Sequence, residues 1–220
     1  MKTLNQLILN FDYDQNFKDQ DFYVSKSNEN SFLLLNKWPK WEKNFINIIG
    51  EKFSGKTHLI NIFIQKFKGI KINFNQIDNH FLKKIKIYEN IIIEDLSENI
   101  DENLFFTLMN IVDQDNKYLI VTTTKPIVDF NFKLKDLKSR SKNFLLSLIE
   151  KPGDDLMYAL ILKNLSDRQI FIEKKLIDFI INRIDRSYGK ISRFIYKIDE
   201  ISLKRKKPID FKIIKEALGD

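Results

Sequence analysis

The sequence predicts an α/β protein in which helices sandwich a parallel β-sheet and a small all-helical lid follows the sheet. Three observations support this prediction. Short apolar runs alternate with segments of helical spacing, the pattern G-x-x-x-x-G-K-S/T stands between an apolar run and a helix, and helical patterns alone follow Pro152 and Gly153. We therefore expect an arm over residues 1–20, an α/β nucleotide-binding base over 21–150 and a lid over 151–220.

The strands and helices of the base are expected to alternate along the chain. Continuous apolar runs are typical of strands that a parallel sheet buries on both faces. Such runs stand at residues 45–49, 91–93 and 118–121, a last strand is expected at 144–148, and a short alternating strand is expected at 69–73. Helical spacing is present at residues 31–35, 58–67 and 101–112, and in the lid around Leu156, Leu176, Ile191 and Phe211.

The phosphate-binding loop is the most specific motif in the chain. It follows a predicted strand and precedes a predicted helix, which is the context that the motif requires. Its glycines let the backbone wrap a phosphate, several N–H groups point inward, and the helix N-terminus adds positive potential. Lys56 is expected to reach the outer phosphates and the Thr57 hydroxyl to bind Mg²⁺. The residues expected to bind ADP or ATP are Gly50, Ser54, Gly55, Lys56, Thr57 and His58.

Two acidic residues, Glu94 and Asp95, end the apolar run at residues 91–93. A P-loop nucleotidase needs an acid at the end of a neighbouring strand to hold Mg²⁺. In one interpretation Glu94 binds the metal together with Thr57, and Asp95 is the base that activates water. In the other, Asp95 serves the metal and no dedicated base exists. Either arrangement predicts slow intrinsic hydrolysis.

Polar residues also mark the next two strand regions. Thr122, Thr123 and Thr124 end the apolar run at 118–121, and Thr123 is our candidate for a residue that senses the γ-phosphate or positions water. A plain turn also accommodates threonine. Arg140 precedes the last strand, where it is able to reach the nucleotide of a neighbouring subunit as a trans arginine finger. The residues themselves favour the alternative, an ordinary surface arginine.

Composition narrows the class of protein without identifying it. The 220 residues include no cysteine, which excludes disulfides and thiolate metal sites and suits a cytoplasmic protein. The two histidines lie far apart, and no apolar run approaches the roughly 18 residues of a membrane span. The formal net charge of +7 favours a polyanionic partner only weakly. We interpret the densest basic cluster, residues 204–207, as a solvated helix end, with a nucleic-acid contact as the alternative.

The order of these motifs resembles that of the AAA+ ATPases, in particular the clade of the bacterial replication initiator DnaA. Besides the phosphate loop, the segments that carry the resemblance are residues 21–28, 104–110, 136–140 and 186–190. The resemblance implies that Arg140 is a trans arginine finger. It also implies that Lys190 stands at sensor 2, where the lid normally carries an arginine that touches the nucleotide. Lysine keeps the charge of that arginine but not its bidentate fork.

The N-terminal arm carries a second resemblance. Its residues 6–11 resemble the Q-L-x-L-x-L/F peptide with which many proteins dock on the bacterial sliding clamp. Gln6 would hydrogen-bond at the rim of the clamp pocket, and Leu9 and Phe11 would fill its apolar interior. Leu7 is the fourth residue of the motif that we expect to bind the clamp. The alternative is a strand that packs on the protein's own sheet.

An initiator-like ATPase module with a clamp-binding arm, and with no helix-turn-helix domain expected after the lid, resembles the Hda family. This resemblance implies a regulator that inactivates the initiator DnaA after replication starts. Bound to ADP and held by the sliding clamp, it would contact ATP-bound DnaA and stimulate hydrolysis, with Arg140 stabilising charge on the transferred phosphoryl group. Its own P-loop would act as a structural switch. DNA would be reached only through the clamp, and a homodimer is one option.

Two other functions remain open. One is a DNA-binding initiation helper or helicase loader that assembles with ATP, which would show DNA affinity with a steep salt dependence. The other is a small-molecule P-loop kinase. An all-helical lid in place of an arginine-rich, substrate-closing one disfavours the kinase.

Overall fold

The computed structural model describes residues 22–219, so the clamp-binding residues predicted in the arm lie outside the described part. The strands are β1 (Phe45–Ile49), β2 (Ile70–Ile72), β3 (Asn90–Ile93), β4 (Tyr118–Thr123) and β5 (Leu145–Leu148). The helices of the base are α1 (Glu29–Asn36), α2 (Lys56–Phe67), α3 (Asn79–Lys84), α4 (Glu102–Gln114) and α5 (Lys135–Arg140). The helices of the lid are α6 (Asp154–Asp167), α7 (Lys174–Ile181), α8 (Tyr188–Arg205) and α9 (Phe211–Leu218).

The five strands form one parallel sheet in the order β2-β3-β4-β1-β5. Because β4 lies between β1 and β3, the carboxyl ends of these three strands adjoin at one edge of the sheet. The phosphate loop follows β1, Thr123 ends β4, and Glu94 follows β3. This strand order therefore gathers residues that are far apart in the sequence, as is usual for ligand sites in open α/β sheets.

The central strands read as continuous apolar runs because helices cover both faces of the sheet. Successive side chains of a strand point to opposite faces. Ile46 and Ile48 accordingly pack in the core under α1 and α2, whereas Phe45 packs in the core under α4. Both isoleucines are fully buried, and each contributes about 1.5–3 kcal/mol by the burial of its side chain.

A separate apolar core holds the lid together. It includes Ile161 of α6, Ile180 of α7, Ile195 of α8 and Ile214 of α9, each at most 1% exposed. The predicted architecture of a helix-sandwiched parallel sheet followed by an all-helical lid is thus confirmed, and the domain limits proposed from the sequence stay predictions. Within residues 22–219, no helix combines the length and the hydropathy needed to cross a membrane.

Two short helices are absent from the pattern-based prediction. Both α3 and α5 contain six residues, fewer than two helical turns, so their apolar positions do not repeat often enough to show a period. Asp78 caps α3 by accepting a hydrogen bond from the Phe81 N–H at 2.6 Å. The position of α5 sets that of Arg140, the predicted arginine finger, because Arg140 is its last residue.

Gly69 offers a test of how tightly the turn between α2 and β2 packs on β3. A Cβ at this position would lie 3.0 Å from Cβ and the backbone oxygen of Asn90 and from Cδ1 of Ile92, with φ at 155°. We expect Gly69→Ala to lower the free energy of unfolding by about 1–3 kcal/mol, because these neighbours are buried parts of the sheet and cannot move aside. Urea denaturation measures the change.

Gly189→Ala is the matched control, since its added Cβ would meet only ordinary contacts at 3.8 Å or beyond in the first turn of α8. Alanine is the better helix former by about 1 kcal/mol, so this variant is expected to be neutral or stabilised. An equal loss of stability in the two variants would contradict the close-packing explanation.

Candidate nucleotide-binding site

The phosphate loop occupies the turn between β1 and α2. Gly55, at the start of α2, takes the left-handed conformation with φ at 88°. Glycine adopts this conformation without strain. The Gly50 N–H donates to the Thr123 carbonyl at 3.1 Å, which ties the loop to the end of β4. Ser54 is buried, and its hydroxyl has no hydrogen-bond partner among the described residues. A buried hydroxyl without a partner at a P-loop is consistent with a site that a ligand completes.

The ammonium group of Lys56 lies inside the loop. The residue is only 5% exposed, and its Nζ donates to the carbonyl oxygens of Gly50 and Glu51, each at 2.9 Å. Burial lowers the pKa of the Lys56 ammonium below its ordinary value, while the carboxylates of Asp95, Glu94 and Glu51 oppose this shift. A buried cation whose partners in residues 22–219 are carbonyl oxygens favours an anionic ligand, because phosphate oxygens would give it stronger, charge-assisted bonds.

Aromatic side chains border the loop on the side of α2. His58 lies in the first turn of α2, and its ring meets that of Phe22 edge-on with 5.3 Å between centroids. Phe22 also stacks on Phe32 of α1 at 5.9 Å. Cε2 of Phe22 would be 3.4 Å from a Cβ at Gly55, so the segment around residue 22 lies against the phosphate loop. The chain around Phe22 and the phosphate loop are therefore adjacent, and the individual role of His58 stays a prediction.

The two acids after β3 have different surroundings. Glu94 pairs with Lys71 of β2 at 3.1 Å through Oε2, and its side chain is 19% exposed. Its other oxygen, Oε1, is buried and has no hydrogen-bond partner in residues 22–219. Asp95 is exposed, takes a left-handed φ of 49°, and donates its N–H to the Thr122 hydroxyl at 2.8 Å. An unpaired buried carboxylate oxygen is a suitable ligand for a divalent cation.

The described residues contain no cluster of three or more acidic or histidine side chains that would hold a metal ion alone. Mg²⁺ at P-loop sites is held by one or two protein ligands together with substrate phosphates and water. Thr57, in the first turn of α2, and Glu94 therefore fit Mg²⁺ that arrives with a nucleotide. They do not fit a metal site independent of nucleotide.

Thr123 is fully buried at the end of β4. Its hydroxyl oxygen accepts a hydrogen bond from Nδ2 of Asn47 at 2.9 Å, and Oδ1 of Asn47 accepts from the Ile127 N–H at 2.9 Å. Asn47, in the middle of β1, thus orients the threonine and the loop after β4. Residue-by-residue reading missed Asn47, although a fully buried polar residue within an apolar strand is a recognisable signal. The sensing role of Thr123 stays a prediction.

Arg140 lies at the end of α5 and is held by α4. Its guanidinium donates to Oδ1 of Asn110 and, at 3.1 Å, to Oδ2 of Asp113. The same group stands 5.5 Å from the centre of the Phe106 ring. Its side chain is 23% exposed, and these partners belong to α4, not to the phosphate loop. The contacts that the described residues make with the Arg140 guanidinium therefore come from α4, and none comes from the phosphate loop.

Lys190 forms its ion pair inside the lid, whereas the phosphate loop contacts the lid through Glu51. The Lys190 ammonium pairs with Asp185 within the lid and is 52% exposed, and its hydrogen bond lowers the pKa of that carboxyl. Glu51 of the loop, in contrast, accepts hydrogen bonds from the Tyr188 N–H and, at 3.3 Å, from the Ser187 hydroxyl. Sequence reasoning missed Glu51, because the motif allows any residue at that position.

The parallel sheet and the phosphate loop at its edge give the described chain a fold of the AAA+ type. No family model matches the chain. It is similar to the chromosomal replication initiator protein DnaA of Borreliella afzelii, at 26% identity over 90% of this chain and 47% of the relative. The chain therefore spans about half the length of the curated relatives it matches.

Two solved structures show the same arrangement. Domain III of the replication initiation protein DnaA from Thermotoga maritima aligns with a TM-score of 0.76 and 17% identity, covering 94% of this chain and 97% of that chain. AMPPCP-bound DnaA from Aquifex aeolicus aligns with a TM-score of 0.67 and 19% identity, covering 88% and 70%. These likenesses show that the described chain has the fold of the AAA+ domain of DnaA.

Proposed function

We propose that the chain is a nucleotide-bound AAA+ regulator of replication initiation of the Hda type. In this proposal it docks on the sliding clamp and stimulates ATP hydrolysis by the initiator DnaA. The nucleotide site is supported by the buried Lys56 ammonium inside a P-loop, together with a buried oxygen of Glu94 that has no hydrogen-bond partner in residues 22–219. The similarity to DnaA supports the replication context and a cytoplasmic location.

In this proposal, different residues at the edge of the sheet bind the phosphates and the metal ion. Lys56 and the loop N–H groups hold the phosphates of ADP or ATP, while Thr57 and Glu94 hold Mg²⁺. The metal neutralises phosphate charge when it is bound. Asp95 is the candidate base, and its exposure to solvent agrees with the slow intrinsic hydrolysis that the sequence predicts. The AMPPCP-bound state of a DnaA with this fold supports nucleotide binding here.

Arg140 is the residue that the proposal assigns to the partner's nucleotide. Its guanidinium contacts α4 and makes no described contact with its own phosphate loop, which suits a group that acts in trans. Asn110 and Asp113 hold the guanidinium in the free protein. Docking against ATP-bound DnaA would exchange these partners for the charge that develops on the transferred phosphoryl group.

The test is ATP hydrolysis by the cognate DnaA with this protein loaded with ADP and with the sliding clamp loaded on DNA. We expect stimulation that requires both this protein and the clamp. The absence of stimulation, together with ATP-dependent self-assembly or DNA binding, would contradict the regulator and favour the helper or loader.

Removing residues 1–12 is expected to abolish clamp binding, because those residues contain Gln6, Leu7, Leu9 and Phe11. Anchoring residues of an interface typically supply most of its affinity, so we expect a loss of at least about 30-fold. Surface plasmon resonance on immobilised clamp measures it. Asn5→Ala in the full chain, outside the motif, is the control and should bind as the parent does. Retained clamp affinity in the truncated protein would exclude the arm as the docking element.

A second candidate, a DNA-binding helper or loader, has one structural observation in its favour. The C-terminal end of α8 and the helix α9 form a shallow groove lined by Arg205, Phe211, Lys212, Lys215 and Glu216. Glu216 pairs with Arg205 at 2.6 Å, so part of this positive charge is already neutralised. The groove therefore supports DNA binding less strongly than the phosphate loop supports nucleotide binding. Affinity for DNA that falls steeply with salt would favour this candidate.

A further inference from the structure

Glu51 belongs to the phosphate loop, yet its carboxylate contacts the lid. It accepts hydrogen bonds from the N–H of Tyr188, the first residue of α8, and from the hydroxyl of Ser187, the residue that caps this helix. The first N–H groups of a helix have no partner within the helix, and the positive end of the helix dipole favours a negative charge there. The loop thus supplies an anionic cap for a helix of the lid.

Tyr188 makes a second connection at the same place. Its side chain is 3% exposed, and its hydroxyl donates to the carbonyl of Glu150 at 3.1 Å and lies 3.5 Å from the Ser27 hydroxyl. Burial raises the pKa of the Tyr188 hydroxyl, which keeps it a neutral donor. The start of α8 is therefore joined both to the phosphate loop and to the segment that leads into the lid.

The backbone of Glu51 takes part in the nucleotide site itself. Its carbonyl oxygen accepts one of the two hydrogen bonds that the Lys56 ammonium donates, at 2.9 Å. Lys190, which the family resemblance implies as the lid sensor, is engaged with Asp185 inside the lid. Glu51 thus contacts both the phosphate-binding lysine, through its backbone, and the first turn of α8, through its carboxylate.

We infer that Glu51 is a positioning residue that seats the lid helix α8 against the phosphate loop and passes changes in the loop to the lid. The second part rests on the proposed nucleotide site. When the Lys56 ammonium turns to a phosphate, the Glu51 carbonyl loses a partner and the loop backbone rearranges. The carboxylate then carries this rearrangement to Tyr188 and Ser187. The lid responds to nucleotide through the loop, and this route needs no direct contact between Lys190 and the nucleotide.

Hydrogen–deuterium exchange on the full chain tests the positioning role without any nucleotide. In Glu51→Ala, peptides that cover residues 186–192 should exchange about tenfold faster than in the parent, because a charged acceptor of the Tyr188 N–H is lost. Peptides from α9 should not change. Glu150→Gln removes a carboxylate at the same boundary but keeps the carbonyl that Tyr188 uses, so it should match the parent.

Unchanged exchange at residues 186–192 in Glu51→Ala would overturn the positioning role. Should this variant fail to fold, Glu51→Gln keeps the size of the side chain and removes only its charge. It should accelerate exchange by about threefold, and parent-like exchange in it would equally overturn the role.

ADP with Mg²⁺ is then added to test the coupling. In the parent, ADP should change exchange in the first turn of α8. In Glu51→Ala, ADP should bind but leave that turn unchanged, and a parent-like response there would overturn the coupling. If the parent itself binds no ADP, the proposed nucleotide site and the coupling both fail, while the nucleotide-free comparison still decides the positioning role.

Discussion

The Arg140→Ala protein is expected to stimulate ATP hydrolysis by DnaA about 1,000-fold less than the parent, or not measurably, since a trans arginine supplies at least this factor to phosphoryl transfer. Its folding should be little affected. The side chain pairs with Asp113, which is half exposed, and donates to Asn110, and each of these interactions contributes about 1 kcal/mol. The measurement is the initial rate of phosphate release by DnaA, with ADP-loaded protein and clamp-loaded DNA.

Lys138→Ala is the matched control for this experiment. Lys138 is exposed on the same helix, α5, so its removal changes the charge equally but leaves the guanidinium in place. Stimulation by this variant should stay within about threefold of the parent, as expected for a rim charge. If Arg140→Ala instead lost its fold or its nucleotide affinity, Arg140 would have a structural role. Full stimulation by Arg140→Ala would remove it from the mechanism.

Lys56→Ala is expected to weaken nucleotide binding by at least about 100-fold, because hydrogen bonds to charged groups are worth about 1.5–3 kcal/mol each. The free energy of unfolding should change much less. The variant loses two hydrogen bonds to loop carbonyls, but it also removes a cation whose burial is unfavourable, as its lowered pKa indicates. Isothermal titration with ADP and Mg²⁺ measures the affinity, and chemical denaturation measures the stability.

Lys52→Ala controls for the general loss of positive charge near the loop. Lys52 belongs to the same loop but is exposed to solvent. Its removal should change ADP affinity by about threefold at most, as expected for a screened surface charge. An equal loss of affinity in the two variants would indicate that general electrostatics, and not the buried ammonium, holds the nucleotide. Unchanged affinity in Lys56→Ala would exclude the phosphate loop as the site.

The expected and observed strands agree because a strand that is buried on both faces has a continuous run of apolar residues. The runs at β1, β3 and β4 contain almost nothing but large apolar residues, and the structure buries every position of β1 and β3. The four lid helices were equally predictable, because each buries one stripe of residues that recurs with the helical period. The short helices α3 and α5 lack that repetition, and tertiary contacts determine whether they form.

The phosphate loop is recognisable from local sequence because its chemistry is local. Glycines, a lysine and a threonine at fixed spacing are brought together by one strand–turn–helix unit, without help from distant residues. The metal-binding role predicted for Glu94 likewise rests on a local pattern, because Glu94 directly follows an apolar strand. Its Oε1, however, is buried and has no partner within residues 22–219, and this property of the packed edge could not be predicted from the residue alone.

The connections between distant segments are decided by the tertiary structure alone. Asn47 meets Thr123 because β1 lies beside β4, Arg140 is held by Asn110 because α5 packs on α4, and Glu51 meets Tyr188 because the lid folds back on the loop. Apolar periodicity and a contiguous motif are visible in the linear sequence, and through them the sequence by itself determines the fold class and the phosphate loop. A hydrogen bond between residues far apart depends on strand order and packing, which the local pattern of residues does not encode.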